Sequence, residues 1–275
     1  MAHPTAANVE EELQAQVLVW NHIFQFISSM SLKSAVELGI PDVLHHNEGH
    51  PISLSRLASL ISITPNRTDY LRRLMRMLVF TGCFANVSKE GEEEEYVLTP
   101  VSRLLVKGKD TGISPFLFFQ MDPVMQSPWQ SLGKWFHSDE PTPFAKAHGV
   151  EIFEMGRRSE SLNRMINQAM ACDSRLMAKA LVEHHRDAFV GVKSLIDVGG
   201  GTGSLAAMIA MTFPSIKCVV LDLPHVVTDV PKGGVVEFVG GNMFEHVPPA
   251  DAVLLKVREP NIVYHNLDGC KSHVI

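Results

Sequence analysis

The chain has 275 residues, of which 45% are hydrophobic and 20% charged, ordinary proportions for a globular protein. Its formal net charge of −6 argues against nucleic acid or an anionic membrane as partner, because phosphate binding needs a positive surface. The amino terminus does not resemble a secretory signal, and no run approaches ~18 apolar residues, so we expect a cytoplasmic protein. The four cysteines are scattered and form no CxxC pair, so we expect reduced thiols and no metal site.

The opening segment predicts a long helix with an unusually large apolar surface. Its apolar residues recur at helical spacing: Leu13, Val17, Trp20, Phe24 and Ile27. A surface helix of a monomer needs only one apolar stripe, so we hypothesise burial against a second chain. A core helix of a single chain is the alternative. Gly39 and Pro41 predict the end of this helical segment.

A second helix and a two-stranded ribbon follow. Thr64 and Pro65 form a helix-start signature, and Gly82 stands where a C-cap glycine would. The predicted inward stripe is Leu71, Leu74, Met75 and Leu78. Extended segments at 83–87 and 96–99 complete the order of a winged helix. DNA binding is disfavoured because the wing carries four consecutive glutamates at 92–95, so we favour a dimer-forming module.

Residues 112–190 are predicted to be helical and are rich in rings and methionine. Core packing explains any single ring there, but as a group with Met121 and Met125 the rings also suit a pocket for a flat apolar ligand. The segment ends in a long helix whose predicted inner face is Leu162, Ile166, Ala169, Leu176 and Leu181.

The last part predicts a parallel sheet with a glycine loop. "SLIDV", "KCVVLD", "VVEFVG" and "DAVLLK" read as strands alternating with helical text. After the first strand, Gly199, Gly201 and Gly203 are followed by Ser204, where a dinucleotide fingerprint has its last glycine. This departure indicates a ligand without a pyrophosphate. Asp222 ends the second strand, where an acid can accept hydrogen bonds from ribose hydroxyls.

Four segments, "LIDVGGGTG", "LDLPHVV", "GGNMF" and "PPADAVLLK", resemble the S-adenosylmethionine-dependent O-methyltransferases of plant phenolic metabolism, nearest the resveratrol and isoflavone O-methyltransferases. "MACDSRLM" and the opening helix resemble the same family. The resemblance implies S-adenosyl-L-methionine as cofactor. The cofactor-binding residues that it implies are Gly199, Gly201, Asp222, Asn242, Met243 and Lys256. The family usually has aspartate at Asn242, and losing that charge weakens a hydrogen bond.

The resemblance also implies a substrate and a catalytic base. The implied substrate wall is Phe119, Met125, Phe153 and Met170. In the family, a histidine a few residues after the lysine removes the phenolic proton. Here Lys256 is followed by "VREPNIVYHN", and His265 stands in text that does not match, so we assign no catalytic residue. We expect an O-methyltransferase acting on a phenylpropanoid, stilbene or flavonoid, at least ~100-fold slower than a full-length relative.

The expected organisation is α/β. A winged-helix dimerisation domain (1–111) precedes a helical substrate-lining linker (112–190), a partial Rossmann-like S-adenosylmethionine-binding domain (191–256) and a non-family tail (257–275). Lys-Val-Arg can be encoded with a splice-donor sequence, so we hypothesise that the tail is translated intron or an equivalent mis-joined exon. The alternative function is a non-catalytic subunit that pairs with full-length relatives. A homodimer and a heterodimer with related chains are both expected partners.

Overall fold

The computed structural model describes residues 6–228, 230 and 233–256. The chain divides into two compact units, Met1–Lys109 and Asp110–Ile275. Within the described ranges, no helix is both long enough and apolar enough to cross a lipid bilayer.

The first unit combines helices with a small antiparallel sheet. Its helices are α1 (Ala6–Glu37), α2 (Ile40–His46), α3 (Leu54–Leu60), α4 (Thr68–Phe80) and α5 (Pro100–Arg103). Its strands are β1 (Ile52–Ser53), β2 (Phe84–Asn86) and β3 (Glu95–Leu98), in the order β1-β3-β2. The predicted ribbon is confirmed as β2 and β3. Strand β1 was missed because two residues are too few to show an alternating pattern.

Helix α4 forms as its sequence signals predict. Thr64 precedes a 3-10 turn at Pro65–Arg67 that leads into the helix. The buried residues of the helix are Leu71, Met75 and Leu78, and Leu74 is half-buried against them. Gly82 follows with φ 75°, and the Cys83 N–H donates back to the Leu78 carbonyl at 2.8 Å. This left-handed glycine ends the helix by satisfying one of its last carbonyls.

Gly39 and Pro41 separate two helices in different ways. Gly39 has φ 74° and follows the end of α1, as predicted. Pro41 lies beyond the end of α1, as predicted, and it also occupies the first turn of α2. A proline fits there because the first turn leaves its backbone N–H groups without partners inside the helix.

Much of α1 is apolar and exposed. Its exposed apolar side chains between residues 9 and 30 are Val9, Leu13, Val17, Leu18, Val19, Trp20, Ile23, Phe24, Phe26, Ile27 and Met30. Phe26 is 62% exposed and Trp20 50%. Only the end of the helix joins the core of the unit, where Ala35 is fully buried and Leu32 packs beside it. The alternative of a single-chain core helix is therefore wrong for most of α1.

The second unit begins with a helical layer. Its first helices are α6 (Ser114–Gln120), α7 (Pro123–Trp135), α8 (Pro143–His148), α9 (Ile152–Arg158) and α10 (Glu160–His184). Leu162, Ile166 and Ala169 of α10 are buried as predicted, in a cluster with Phe119 of α6. The predicted inner-face residues Leu176 and Leu181 are only half-buried. Later in the helix, the inward positions are Cys172, Ala178 and Val182.

A four-stranded parallel sheet completes the second unit. Its strands are β4 (Ser194–Val198), β5 (Lys217–Asp222), β6 (Glu237–Gly240) and β7 (Ala252–Leu255), which confirms all four predicted strands. The order is β6-β5-β4-β7, with α11 (Ser204–Thr212) and α12 (Pro224–Val227) in the connections. Leu195 of β4 packs with α10 and α11, and Ile196 packs on the other face. Because the strands are parallel, their carboxyl ends share one edge, where ligand sites of open α/β sheets lie.

Replacing Gly203 tests how tightly this sheet is packed. Gly203 has φ 76°, and a Cβ there would lie 2.8 Å from Cζ of Phe238. We expect Gly203→Ala to lower the free energy of unfolding by ~1–3 kcal/mol, because it adds backbone strain and overlap. In the control Gly133→Ala, inside α7, the new Cβ meets open space. That change should be neutral or stabilise by up to ~1 kcal/mol. Urea unfolding followed by circular dichroism measures both, and equal effects would contradict the expectation.

Candidate functional site

The glycine loop lies between β4 and α11, at the carboxyl edge of the sheet. Gly199, Gly201 and Gly203 have φ of 71°, 59° and 76°. These are left-handed values that side chains with a Cβ rarely adopt. The Gly199 N–H donates to the Leu221 carbonyl at 2.8 Å, which extends the β4–β5 pairing into the loop. The loop therefore presents backbone, without side-chain bulk, to the space above the sheet.

Asp222 at the end of β5 is joined directly to the glycine loop. Its Oδ2 accepts the Gly201 N–H at 2.7 Å, and its Oδ1 accepts the Leu223 N–H at 2.7 Å. An ionised carboxylate has about four lone-pair positions, so each oxygen can accept a further hydrogen bond. The structure thus brings together the loop and the acid that the sequence predicted as parts of one site.

Asn242 and Met243 follow β6 and lie close to the same edge. The Gly241 N–H donates to the Asp222 carbonyl at 2.9 Å, which ties their segment to the end of β5. The Asn242 amide is engaged locally, since Oδ1 accepts the Phe244 N–H at 3.1 Å and Nδ2 donates to Glu245 at 3.0 Å. Met243 packs against the cluster on one face of the sheet. Asn242 therefore shapes this turn.

Lys256, just after β7, is held by α10. Its Nζ lies 2.6 Å from Asp173 Oδ2 and donates to Ser174 Oγ at 2.9 Å. Sequence reasoning missed both partners, although each lies in "MACDSRLM", a segment that already indicated the family. The ion pair brings Asp173 to the sheet edge and fixes where the lysine ammonium stands.

Asp197 is a second acid that sequence reasoning missed. It lies on β4, is 2% exposed, and its Oδ2 has no hydrogen-bond partner among the described residues. Burial raises the pKa of Asp197 to about 7, and the charge of Asp222 adds to this rise. A hydrogen bond from the Ala206 backbone and the charge of Lys256 act in the opposite direction on the pKa. An acid in the apolar run "LIDV" was the signal available in the sequence.

Gly200 is required directly above this acid. A Cβ at Gly200 would lie 2.6 Å from Cγ of Asp197, closer than real side chains approach. The loop thus packs on the carboxyl group. The edge carries the carboxylates of Asp173 and Asp222 and the buried carboxyl of Asp197, and the ammonium of Lys256 pairs with Asp173. This charge suits a cationic ligand and opposes a pyrophosphate.

The predicted substrate residues lie in different surroundings. Phe119 is 3% exposed in the cluster between α6 and α10, and Met125 packs against the same cluster. Phe153 of α9 is 67% exposed, and Met170 of α10 is 41% exposed. The structure therefore unites two of the four, and the substrate wall stays a prediction.

Comparison with known proteins assigns both units. The family model described as "O-methyltransferase domain" matches residues 129–268, and "O-methyltransferase dimerisation domain" matches residues 20–108. The chain belongs to the O-methyltransferase family. Enzymes of this family use S-adenosyl-L-methionine, a sulfonium cation that agrees with the negative charge of the sheet edge. The first match passes Lys256 by twelve residues, so the predicted boundary of a non-family tail stays a prediction.

Individual O-methyltransferases resemble the chain along most of its length. "Probable O-methyltransferase 3" of Humulus lupulus is 46% identical, over 90% of this chain and 67% of the relative. "Trans-resveratrol di-O-methyltransferase" of Vitis vinifera is 45% identical, over 90% of this chain and 69% of the relative. The solved structure of human N-acetylserotonin methyltransferase with S-adenosylmethionine superposes with a TM-score of 0.69 at 22% identity, over 88% and 70% of the two chains. That likeness supports the methyltransferase fold.

The segment in which the family's general base was expected lies outside the described residues. His265, the proposed tail at 257–275 and Cys270 all fall there. The statement that no residue can be assigned as the base therefore stays a prediction from the sequence.

The buried acid gives a prediction for stability against pH. Asp197 has a folded-state pKa of about 7 against the usual 3.8, so folding takes up a proton between these values. Its contribution to stability is present below pH 3.8 and is lost as the pH rises through 7. Asp197→Asn does not titrate, so its stability relative to the native chain should increase from pH 5 to pH 8, by up to ~3 kcal/mol.

Urea unfolding at the two pH values measures this difference. Asp139→Asn is the matched control, because Asp139 is exposed and distant in sequence from the loop. Its stability relative to the native chain should be the same at both pH values. A pH-independent difference for Asp197→Asn would show that the buried carboxyl does not titrate in this range.

Proposed function

We propose that the chain binds S-adenosyl-L-methionine at the carboxyl edge of its sheet and transfers the methyl group to a phenolic hydroxyl. The observation that carries this proposal is the 2.7 Å hydrogen bond from the Gly201 N–H to Asp222, which joins the loop and the acid in one site. Relatives named for a stilbene, an allylphenol and a flavonol support a phenylpropanoid, stilbene or flavonoid as the acceptor class.

Each residue of the edge has a proposed role. Asp222 accepts the ribose hydroxyls, and Gly199 and Gly201 let the methionine end approach the backbone. Met243 packs on the adenine. Asn242, whose amide is held within its own turn, positions Met243 and the neighbouring backbone. Lys256 is fixed by Asp173 and limits the net negative charge of the edge.

The reaction places different demands on the two sides of the site. When bound, S-adenosyl-L-methionine supplies an electrophilic methyl group on positively charged sulfur. The carboxylates of Asp173 and Asp222, and Asp197 in its ionised form, favour this cation over the neutral thioether product. On the acceptor side a phenol has a pKa near ~10, so its proton must be removed as the oxygen attacks. The proposed acceptor wall is Phe119, Met125, Phe153 and Met170, with rings and thioethers for a flat ligand.

We also propose that α1 is the main contact of a dimer. Its exposed residues between 9 and 30 form an apolar surface of a kind that soluble monomers rarely carry. The matched dimerisation domain begins within this helix, at residue 20. A homodimer satisfies this surface, and so does a heterodimer with a related chain. In the second case the chain can act as a non-catalytic subunit.

A cytoplasmic location agrees with the thiols of the described residues. Cys83, Cys172 and Cys218 are buried and unpaired. Disulfides persist in oxidising compartments and are rare in the cytosol. We therefore propose that the protein works in the cytoplasm.

Titration calorimetry and product analysis test the proposed function together. The chain 1–275 should bind S-adenosyl-L-methionine saturably, and Asp222→Asn should weaken binding by at least ~10-fold, because it removes a charge-assisted acceptor. Asp139→Asn is the control and should bind as the native chain does. Incubation with a stilbene, a flavonol and an allylphenol should give methyl ethers detectable by mass spectrometry.

The outcomes separate the two candidate functions. Cofactor binding with methyl ether formation supports the enzyme. Cofactor binding without any product, together with co-purification of a full-length relative, supports the non-catalytic subunit. Absence of cofactor binding, or tighter binding of a pyrophosphate dinucleotide, would refute both the site and the function proposed for it.

Light scattering after size exclusion tests the dimer. The native chain should elute with twice its mass of 30.4 kDa. Trp20→Glu combined with Phe24→Glu should give monomers, because charge in the apolar surface opposes its burial. Val190→Glu is the control, since Val190 is 80% exposed and lies in the second unit. A native monomer, or a double variant that remains dimeric, would contradict the assignment of α1.

A further inference from the structure

The first unit contains a cavity that the proposed methyl transfer does not use. It has a volume of about 410 Å³ and is lined by residues of α4, β2 and β3 and by Glu94 beside β3. Small-molecule sites usually measure ~300–1,000 Å³, so the cavity can hold a compact organic ligand. All of its lining residues belong to the first unit.

Helix α4 gives this cavity a positively charged wall. Arg76 follows Arg72 by four positions and Arg73 by three, so all three side chains lie on one side of α4. Two carboxylates also line the cavity, and both pair with Arg72: Asp69 with Nη1, and Glu94 with Nε at 3.1 Å. Arg73 and Arg76 have no carboxylate partner among the described residues. Arg73 lies over the Tyr70 ring at 5.9 Å, a contact that leaves its N–H groups available, so both guanidinium groups can meet an anion.

Tyr96 adds a hydroxyl to the lining of the same cavity. Its side chain is 2% exposed and packs in the core of the unit, and within the described chain its hydroxyl makes no hydrogen bond. Burial raises the pKa of Tyr96 to about 12, so the hydroxyl keeps its proton and remains a donor at physiological pH. Because no described side chain or backbone group takes up this donor, it is available to a ligand oxygen in the cavity.

Asn86 of β2 completes the polar lining. Its Oδ1 already accepts the Ser88 backbone N–H at 3.0 Å and the Ser88 hydroxyl at 2.8 Å. The amide NH₂ is its remaining polar group. Guanidinium, phenol and amide can each donate to an oxyanion, and the two carboxylates of the lining are already paired with Arg72.

We propose that this cavity binds a small organic anion through a carboxylate or phosphate group. Arg73 and Arg76 hold the anionic oxygens, and Tyr96 and Asn86 donate to the same group or its neighbour. The planar fork of arginine matches both head groups. The ligand is small because the consecutive glutamates at 92–95, which lead into β3 and include its first residue, would repel an extended polyanion such as DNA.

Calorimetric titrations of the full chain with three probes test this site. Benzoate, phenyl phosphate and inorganic phosphate are used in a low-chloride buffer. At least one should bind saturably, and the order of affinities identifies the preferred head group. Arg73→Gln with Arg76→Gln should weaken that binding by at least ~10-fold, and Tyr96→Phe, which keeps the core ring, by ~5-fold or more. Arg56→Gln removes an exposed arginine of α3 that does not line the cavity and should change the affinity by less than ~2-fold.

Two further measurements on the same variants exclude unfolding as the cause. The melting temperature and the affinity for S-adenosyl-L-methionine should match those of the native chain, since the cofactor residues belong to the second unit. The proposal is overturned if none of the three probes saturates by ~10 mM, or if the double arginine variant binds as the native chain does. Equal losses in Arg56→Gln and the cavity variants would also overturn it, because they would indicate attraction by net charge alone.

Discussion

The candidate site depends on one hydrogen bond, from the Gly201 N–H to the Asp222 carboxylate. The donor belongs to the turn after β4 and the acceptor ends β5, so the bond fixes two turns of neighbouring strands relative to each other. It forms because three loop residues adopt left-handed backbone angles that need glycine. The same geometry keeps side chains away from the space above the sheet, packs Gly200 onto the carboxyl of Asp197, and leaves Asp222 with unused lone pairs.

The parts of the fold that could be predicted from the sequence are those written in local patterns. Short strand-like runs that alternate with helical segments predicted the four parallel strands. Helix signals at Thr64 and Gly82 predicted α4 and its ends. The glycine loop was predicted as a site because it follows β4, and Asp222 because it is the last residue of β5. Asp173 was not found as a site residue because its partner Lys256 lies far along the chain, on another element. Strand β1 was missed because two residues carry no period, and its pairing with β3 is a tertiary contact.

Charge distinguishes the two units. At the sheet edge of the second unit, Asp173, Asp197 and Asp222 lie near the ammonium of Lys256. Burial raises the pKa of Asp197, and its Oδ2 has no hydrogen-bond partner among the described residues. In the first unit, the cavity beside α4 shows the opposite balance, with three arginines and two carboxylates, and Arg73 and Arg76 form no ion pair with a described carboxylate. The net charge of −6 therefore hides an uneven distribution. The acidic sheet edge of the second unit favours a cation, and the arginine-lined cavity of the first unit favours an anion.

Helix α10 has 25 residues and, at ~1.5 Å per residue, a length of almost 40 Å. Its first half supplies Leu162 and Ile166 to the ring-rich cluster, and its second half supplies Ala178 and Val182 to the cluster under the sheet. Between the two halves, Asp173 forms an ion pair with Lys256. Because α10 packs in both clusters, a tilt of the helix at one cluster also changes the packing at the other. An aromatic ligand among the helices and a cationic ligand on the sheet would therefore affect each other's binding, because both would contact elements packed on α10.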